Sequence, residues 1–373
     1  MSKWYENYYF PNEILEQAEA IQNCISALSD DIKSISTDNH DIDEIHIVGS
    51  GDCYFISIAA ADAFKKLAGI RATGYEAYDY YLNKPLISTK TMVILFSSSG
   101  KSLYVLKSLD YASESGAITI GVTNHADSPL GSTCTIPLVT LATGISKSFP
   151  SKTTTSALAL YYQLAIELGV RKGKISEGEE SALKEELSVH VPEMIRKIYE
   201  TEHQKLIDAS QMFLDARKYT FVGSGPSRAS ALIGAAKIVE TSRGHVTFCN
   251  AEEYLHLYGF SVKSPDAVIV IGNNISDHRE VQVVEYAQNQ CARVLVIGDV
   301  LVENPSINTI QVAPFLKTLS PWGVTLASMV ILHLFASELS HKAYKDPDIP
   351  HDVDLKHVIN LLYTGPVAGW QVD

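Results

Sequence analysis

An internal repeat limits this chain to few folds. Ile45-His46-Ile47-Val48-Gly49-Ser50-Gly51 recurs as Tyr219-Thr220-Phe221-Val222-Gly223-Ser224-Gly225. Each copy reads as a short apolar strand entering a glycine turn. Each is followed by a small-residue helix, over 56–67 and 229–241. Two further strands recur at nearly the same offset, 91–96 against 266–271 and 117–122 against 293–298, with helical stretches 103–113 and 280–290 between them. Apolar strands of about five residues alternating with helices predict a parallel sheet covered on both faces. Two tandem copies predict two similar doubly wound, flavodoxin-like α/β domains.

The expected organisation is a helical segment over 1–42, a first α/β domain over 43–174, a charged helical connection over 175–211, a second domain over 212–345 and a tail over 346–373. The 373 residues suit two ordinary domains. A net charge of −13 argues against nucleic-acid binding, which needs a basic footprint. It leaves room for one phosphate held by local dipoles. No long uninterrupted apolar run and no signal-peptide core are read, so a cytoplasmic protein with no membrane span is expected. The five scattered cysteines read as reduced, buried thiols. The 12 histidines show no metal-ligand spacing. The glycine turns do not continue as Gly-x-Gly-x-x-Gly, so neither a metal nor a cofactor is expected.

Three places carry candidate chemistry. Ser97-Ser98-Ser99-Gly100-Lys101-Ser102 follows the strand ending at Phe96 and opens a helix. Ligands of open α/β sheets bind beyond the carboxyl ends of strands, and a helix N-terminus there favours an anion. Four hydroxyls suit a phosphate monoester, although a serine can also simply cap the helix. The equivalent turn of the second half, 272–277, has lost the serine cluster and carries an acid, Asp277. Lys237 and Glu240 stand three apart on a small, apolar helix. They read either as a desolvated general base with its partner or as a surface ion pair. His256 could shuttle a proton or be structural.

These residues resemble the tandem sugar isomerase (SIS) domain family, over roughly Asp43 to the C-terminus. The same pair forms the isomerase half of glucosamine-6-phosphate synthase and builds the fructosamine-6-phosphate deglycases. Ser97-Ser98-Ser99-Gly100-Lys101-Ser102 is similar to the family's Ser-x-Ser-Gly-x-Thr phosphate loop, with Ser102 in place of threonine. Gly49-Ser50-Gly51 resembles the turn after its first strand. Pro150-Ser151-Lys152-Thr153 resembles the segment that lines the sugar site. Ala235-Ala236-Lys237-Ile238-Val239-Glu240 resembles its Lys-x-x-Glu helix, and Glu253-Tyr254-Leu255-His256 its Glu-Leu-Lys-His element, at the family's separation.

The resemblance implies a phosphorylated sugar or sugar-amine substrate. Its phosphate would lie on Ser97, Ser98, Ser99 and Ser102, and its sugar against Gly49, Ser50, Gly51 and Ser151. His256 would assist ring opening from a neighbouring subunit, making a homodimer with shared sites. Glu240 would transfer the proton between C1 and C2 beside Lys237. Lys356 fits the family's tail lysine only after a one-residue slip, with His351 as a rival. The chain begins Met-Ser rather than Met-Cys and matches no glutaminase domain, so synthase chemistry is not expected. The acids Glu252, Glu253, Asp346, Asp348, Asp352 and Asp354, with the tyrosines of 75–81, favour a fructosamine-6-phosphate deglycase over a glucosamine-6-phosphate deaminase or a ketose/aldose isomerase. A sugar-phosphate sensor is the reading from another class. It would need a helix-turn-helix with a basic recognition face, and none is read.

Overall fold

The computed structural model describes residues 3–38, 41–142, 149–274, 279–348 and 354–364. The first half holds strands β1 (Glu44–Gly49), β2 (Arg71–Glu76), β3 (Thr91–Phe96), β4 (Ile118–Thr123) and β5 (Ile136–Val139). The second holds β6 (Tyr219–Gly223), β7 (Val246–Cys249), β8 (Ala267–Ile271), β9 (Arg293–Ile297) and β10 (Thr309–Val312). The sheet orders are β2-β1-β3-β4-β5 and β7-β6-β8-β9-β10, every pairing parallel. Both are therefore the doubly wound architecture that the repeat predicts. Each order reverses beside its first strand, which puts a topological switch point at the carboxyl ends of β1 and β3.

The two halves meet through helices. Asp52–Leu67, which follows β1, packs on Ser227–Ser242, which follows β6. Ser227–Ser242 also packs on Pro321–Lys342. Crowded on several sides, Ser227–Ser242 is built of small residues with little polar face. Pro321–Lys342 has the length and apolarity to cross a bilayer, but its apolar window lies wholly inside the protein. It is a core helix.

The N-terminal segment folds as helices Tyr9–Leu15, Gln17–Ala27 and Ser29–Asp38. The buried Gln17 carboxamide oxygen accepts from Thr155 of the first half at 3.0 Å and lies 3.2 Å from His333 Nδ1 of the second. The Tyr5 hydroxyl donates to Glu338 at 2.9 Å and lies 3.1 Å from His203 Nε2. This segment therefore ties the halves together rather than forming a separate unit. Helices Glu177–Glu185, Val191–Thr201 and His203–Met212 run between the two halves.

Candidate active site

The Ser97–Ser102 turn stands at the switch point of the first sheet. Gly100 has φ +67°, and a Cβ there would lie 2.0 Å from Ser128 Oγ, so only glycine closes the turn. Three of the four hydroxyls converge: Ser97 Oγ lies 2.9 Å from Ser102 Oγ and 3.4 Å from Ser99 Oγ. Ser102 is the N-cap of helix Leu103–Glu114, yet its side chain makes no capping bond. The serines are therefore not spent on capping. They lie in a cluster beside the free N–H groups of a helix N-terminus, a setting that stabilises an anion. Lys101 points to solvent.

The Gly49-Ser50-Gly51 turn lies alongside. A Cβ on Gly49 would stand 2.7 Å from Cys53, so the chain can turn tightly into the helix only with glycine. Burial pushes the Cys53 thiol pKa up to about 12, against the opposing influence of the neighbouring Ser98. A thiol so reluctant to ionise is no nucleophile. Ser50 Oγ donates to Glu76 at 2.7 Å. Ser151 is fully buried and its hydroxyl donates to Glu13 at 3.4 Å.

Directly after this turn comes Asp52, the first residue of its helix and a group that the sequence reading passed over. Lys237 Nζ lies 2.7 Å from Asp52 Oδ2 and 2.7 Å from Glu240 Oε2, and Lys237 is 0% exposed. Thr154 Oγ1 donates to the same Asp52 oxygen at 3.4 Å. The i,i+3 pair is real, but it is not a surface pair. Burial draws the lysine's proton affinity down, and the two carboxylates more than reverse this, so its pKa is raised.

The Glu240 side chain keeps 25% of its surface open. Burial pushes its carboxyl pKa up to about 7; Asp52 adds to the rise and Lys237 opposes it. A carboxyl that exchanges its proton near neutrality, open on one edge, can act as a general acid or base.

Other candidates stand apart. His256 side chain is 76% exposed and pairs with Glu252 at 3.1 Å, which also holds Arg279. Lys356 is exposed on helix Leu355–Thr364, which touches Leu103–Glu114. His351 and Asp352, like residues 143–148 of the 141–148 loop and 275–277 of the second half's turn, lie outside the described residues.

The tyrosine stretch divides. Tyr80 is core, 2.9 Å from His46 Nδ1, with Tyr75 packed beside both. Tyr78 and Tyr81 instead face Tyr104, two residues after the serine loop. Several of the acids are engaged elsewhere. Asp348 accepts from the Tyr9 and Phe10 N–H groups, and Glu253 closes a capping box.

The SIS domain family model matches residues 40–167 and 212–336. The glutamine–fructose-6-phosphate aminotransferase (isomerizing) of Thermococcus kodakarensis is 28% identical over 359 residues, covering 93% of this chain and 57% of that protein. The chain spans about half the length of the curated relatives it matches. The C-terminal domain of glucosamine-fructose-6-phosphate aminotransferase from Francisella tularensis superposes with a TM-score of 0.85 at 19% identity, over 94% of this chain and 100% of that one. Glucosamine-6-phosphate deaminase from Thermotoga maritima superposes with a TM-score of 0.71 at 19% identity, over 93% and 98%. Two segments matching one family model, folded as two sheets of the same strand order, place this chain in the SIS domain family.

Proposed function

We propose that the chain binds a 6-phosphorylated ketose or ketosamine and moves a proton between C1 and C2. Glu240 carries the reading: a carboxyl open on one edge, held against a buried ammonium, with a pKa of about 7. Such a group both takes and returns a proton at neutral pH. The serine cluster of 97–102 supplies the matching phosphate seat, and the name of the Thermococcus relative fits a substrate of this class.

In this reading Ser97, Ser98, Ser99 and Ser102 hold the phosphate, while the turn of Gly49, Ser50 and Gly51, with Ser151 behind it, borders the sugar. Glu240 takes the C1 proton to leave an enediol or enolamine and returns it to C2. His256, exposed and away from Glu240 in its own chain, assists ring opening in the site of a second copy, which makes the working unit a dimer. Lys356 approaches from the tail. From a ketosamine the transfer yields a C1 imine. Water hydrolyses the imine to an aldose 6-phosphate and the free amine.

The favoured substrate is a fructosamine 6-phosphate that releases an amino acid. The partly exposed Tyr78, beside Tyr81 and Tyr104 near the phosphate loop, suits a substrate extending beyond the sugar. The test incubates the protein with fructoselysine 6-phosphate and with glucosamine 6-phosphate, and measures lysine and ammonia. Lysine from the first is expected. Ammonia from the second, with no amino acid from any fructosamine phosphate, refutes the deglycase choice. Glu240→Gln should lower kcat at least about 100-fold with KM little changed. An equally active variant refutes the proton-transfer role. As the base must be ionised, kcat/KM should fall on the acid side of about pH 7.

A further inference from the structure

We propose that Asp52 is a positioning residue: working through Lys237, it fixes the Glu240 carboxyl across the boundary between the halves, so that the proton-transferring group is assembled only when the halves are docked. This rests on the reading of Glu240 as that group.

The geometry is direct. Asp52 belongs to the first half, and Lys237 and Glu240 belong to the second. One ammonium nitrogen contacts both carboxylates at 2.7 Å, and the lysine has no exposed surface through which water could replace either partner. The long lysine side chain is thereby held at both sides, and the Glu240 oxygen it contacts is held with it. Thr154 steadies Asp52 from behind.

Of the other titratable groups around Ser227–Ser242, Glu338 of Pro321–Lys342 is engaged with Tyr5 and His203, and three are neutral. On Asp52–Leu67, Cys53 is a half-buried thiol with its pKa pushed up to about 12. On β7, Cys249 is likewise pushed up to about 12 by burial. On Pro321–Lys342, His333 is held well below its ordinary pKa, by burial first and by Lys237 second. Lys345 donates to the Ser242 carbonyl, two residues from Glu240, but is not among the charges that shift that carboxyl, which are Lys237 and Asp52. Asp52 and Lys237 are therefore the charges that set the state of Glu240.

Two carboxylates that each contact one ammonium at 2.7 Å lie within about 5.4 Å of each other, and at that range each raises the other's proton affinity by roughly two units. Asp52→Asn keeps an oxygen for Lys237 and removes the charge. The readout is the carboxyl titration of Glu240 in substrate-free protein labelled with 13C-glutamate, with the resonance assigned by its loss in Glu240→Gln. Asp52→Asn should lower the midpoint by about one unit or more, and Asp52→Glu should keep it within about half a unit of the parent. The acid limb of kcat/KM should move by the same amount, with KM changed less than about twofold.

An unmoved midpoint in Asp52→Asn, or equal shifts in both variants, makes Asp52 a plain structural anchor and overturns the proposal. Should Asp52→Asn fail to fold, Asp52→Glu decides. A retained midpoint with lowered kcat supports the proposal, and a midpoint displaced by more than about a unit refutes it. The titration needs no substrate. A moved midpoint beside a fully active Glu240→Gln therefore refutes the function of Glu240 while the coupling stands.

Discussion

Lys237→Met removes the one positive charge between Asp52 and Glu240 and keeps most of the side-chain volume. Lys237 is fully buried and touches both carboxylates at 2.7 Å. Its loss leaves two acids within about 5.4 Å of each other with no counter-charge, a repulsion of roughly 3 kcal/mol at an effective dielectric of about 20. Removing one partner of a buried ion pair costs about 3–5 kcal/mol in general, so the two routes agree. The penalty must depend on pH. In the variant both carboxyl pKa values rise above their unfolded values, so the folded state binds more protons than the unfolded one. Stability then falls as pH rises through that window. Urea unfolding at pH 8 should give a loss of about 3–5 kcal/mol, and at pH 5.5, where the acids can take up protons, roughly 1–2 kcal/mol. The triple variant Asp52→Asn, Lys237→Met, Glu240→Gln should recover to within about 1 kcal/mol of the parent, because no uncompensated charge remains. A penalty below about 1 kcal/mol at pH 8, or one that does not change with pH, would show that water reaches the cluster and refute the buried-triad argument.

Ser102→Ala separates a phosphate seat from a helix cap. Its hydroxyl makes no capping bond, so stability should change by less than about 0.5 kcal/mol, while loss of a charge-assisted bond should weaken fructose 6-phosphate binding by calorimetry about tenfold; a stability loss with unchanged binding reverses the assignment. Gly100→Ala should destabilise by about 1–3 kcal/mol in urea, since φ is +67° and the new Cβ would meet Ser128 Oγ at 2.0 Å; a loss under about 0.5 kcal/mol would mean that the turn adapts.

The central strands were legible because burial leaves them no choice of residue. β3, β6 and β8 are buried at every position, and β1, β4 and β9 at all but the first. Such strands read as unbroken apolar runs. The strands β2, β5, β7 and β10 were not read. Arg71-Ala72-Thr73-Gly74-Tyr75-Glu76 at a sheet edge buries only Ala72, and the other three are four residues long with mostly half-exposed side chains. Their Val, Ile, Thr and Phe suit a strand, but four residues are too few to show a period; they are strands because a neighbour offers a free edge. The serine loop and the Lys237–Glu240 pair were legible because each is local. Asp52 was not, because its partners lie in the other half of the chain.

A signal for Asp52 nevertheless existed, in the differences between the two repeats. When Gly49-Ser50-Gly51 is laid on Gly223-Ser224-Gly225, Asp52 falls on Pro226, Lys237 on Ala63 and Glu240 on Lys66. The first copy has the acid that follows the turn and lacks the Lys-x-x-Glu helix face; the second has that face and lacks the acid. Their helices pack against each other, so each copy supplies what the other has lost. A duplicated fold gives two equivalent helices facing across one boundary. The buried cluster there takes its members from unlike copies, the aspartate from the first and the lysine and glutamate from the second, and each charge is paired only because the copies differ. The same divergence leaves the serine cluster after β3 and the turn after β8 without it. Residues that differ between the copies at matched positions on facing helices are thus where a one-sided site is to be sought in a tandem repeat. The residues they share, the glycines and apolar strands, report only the fold.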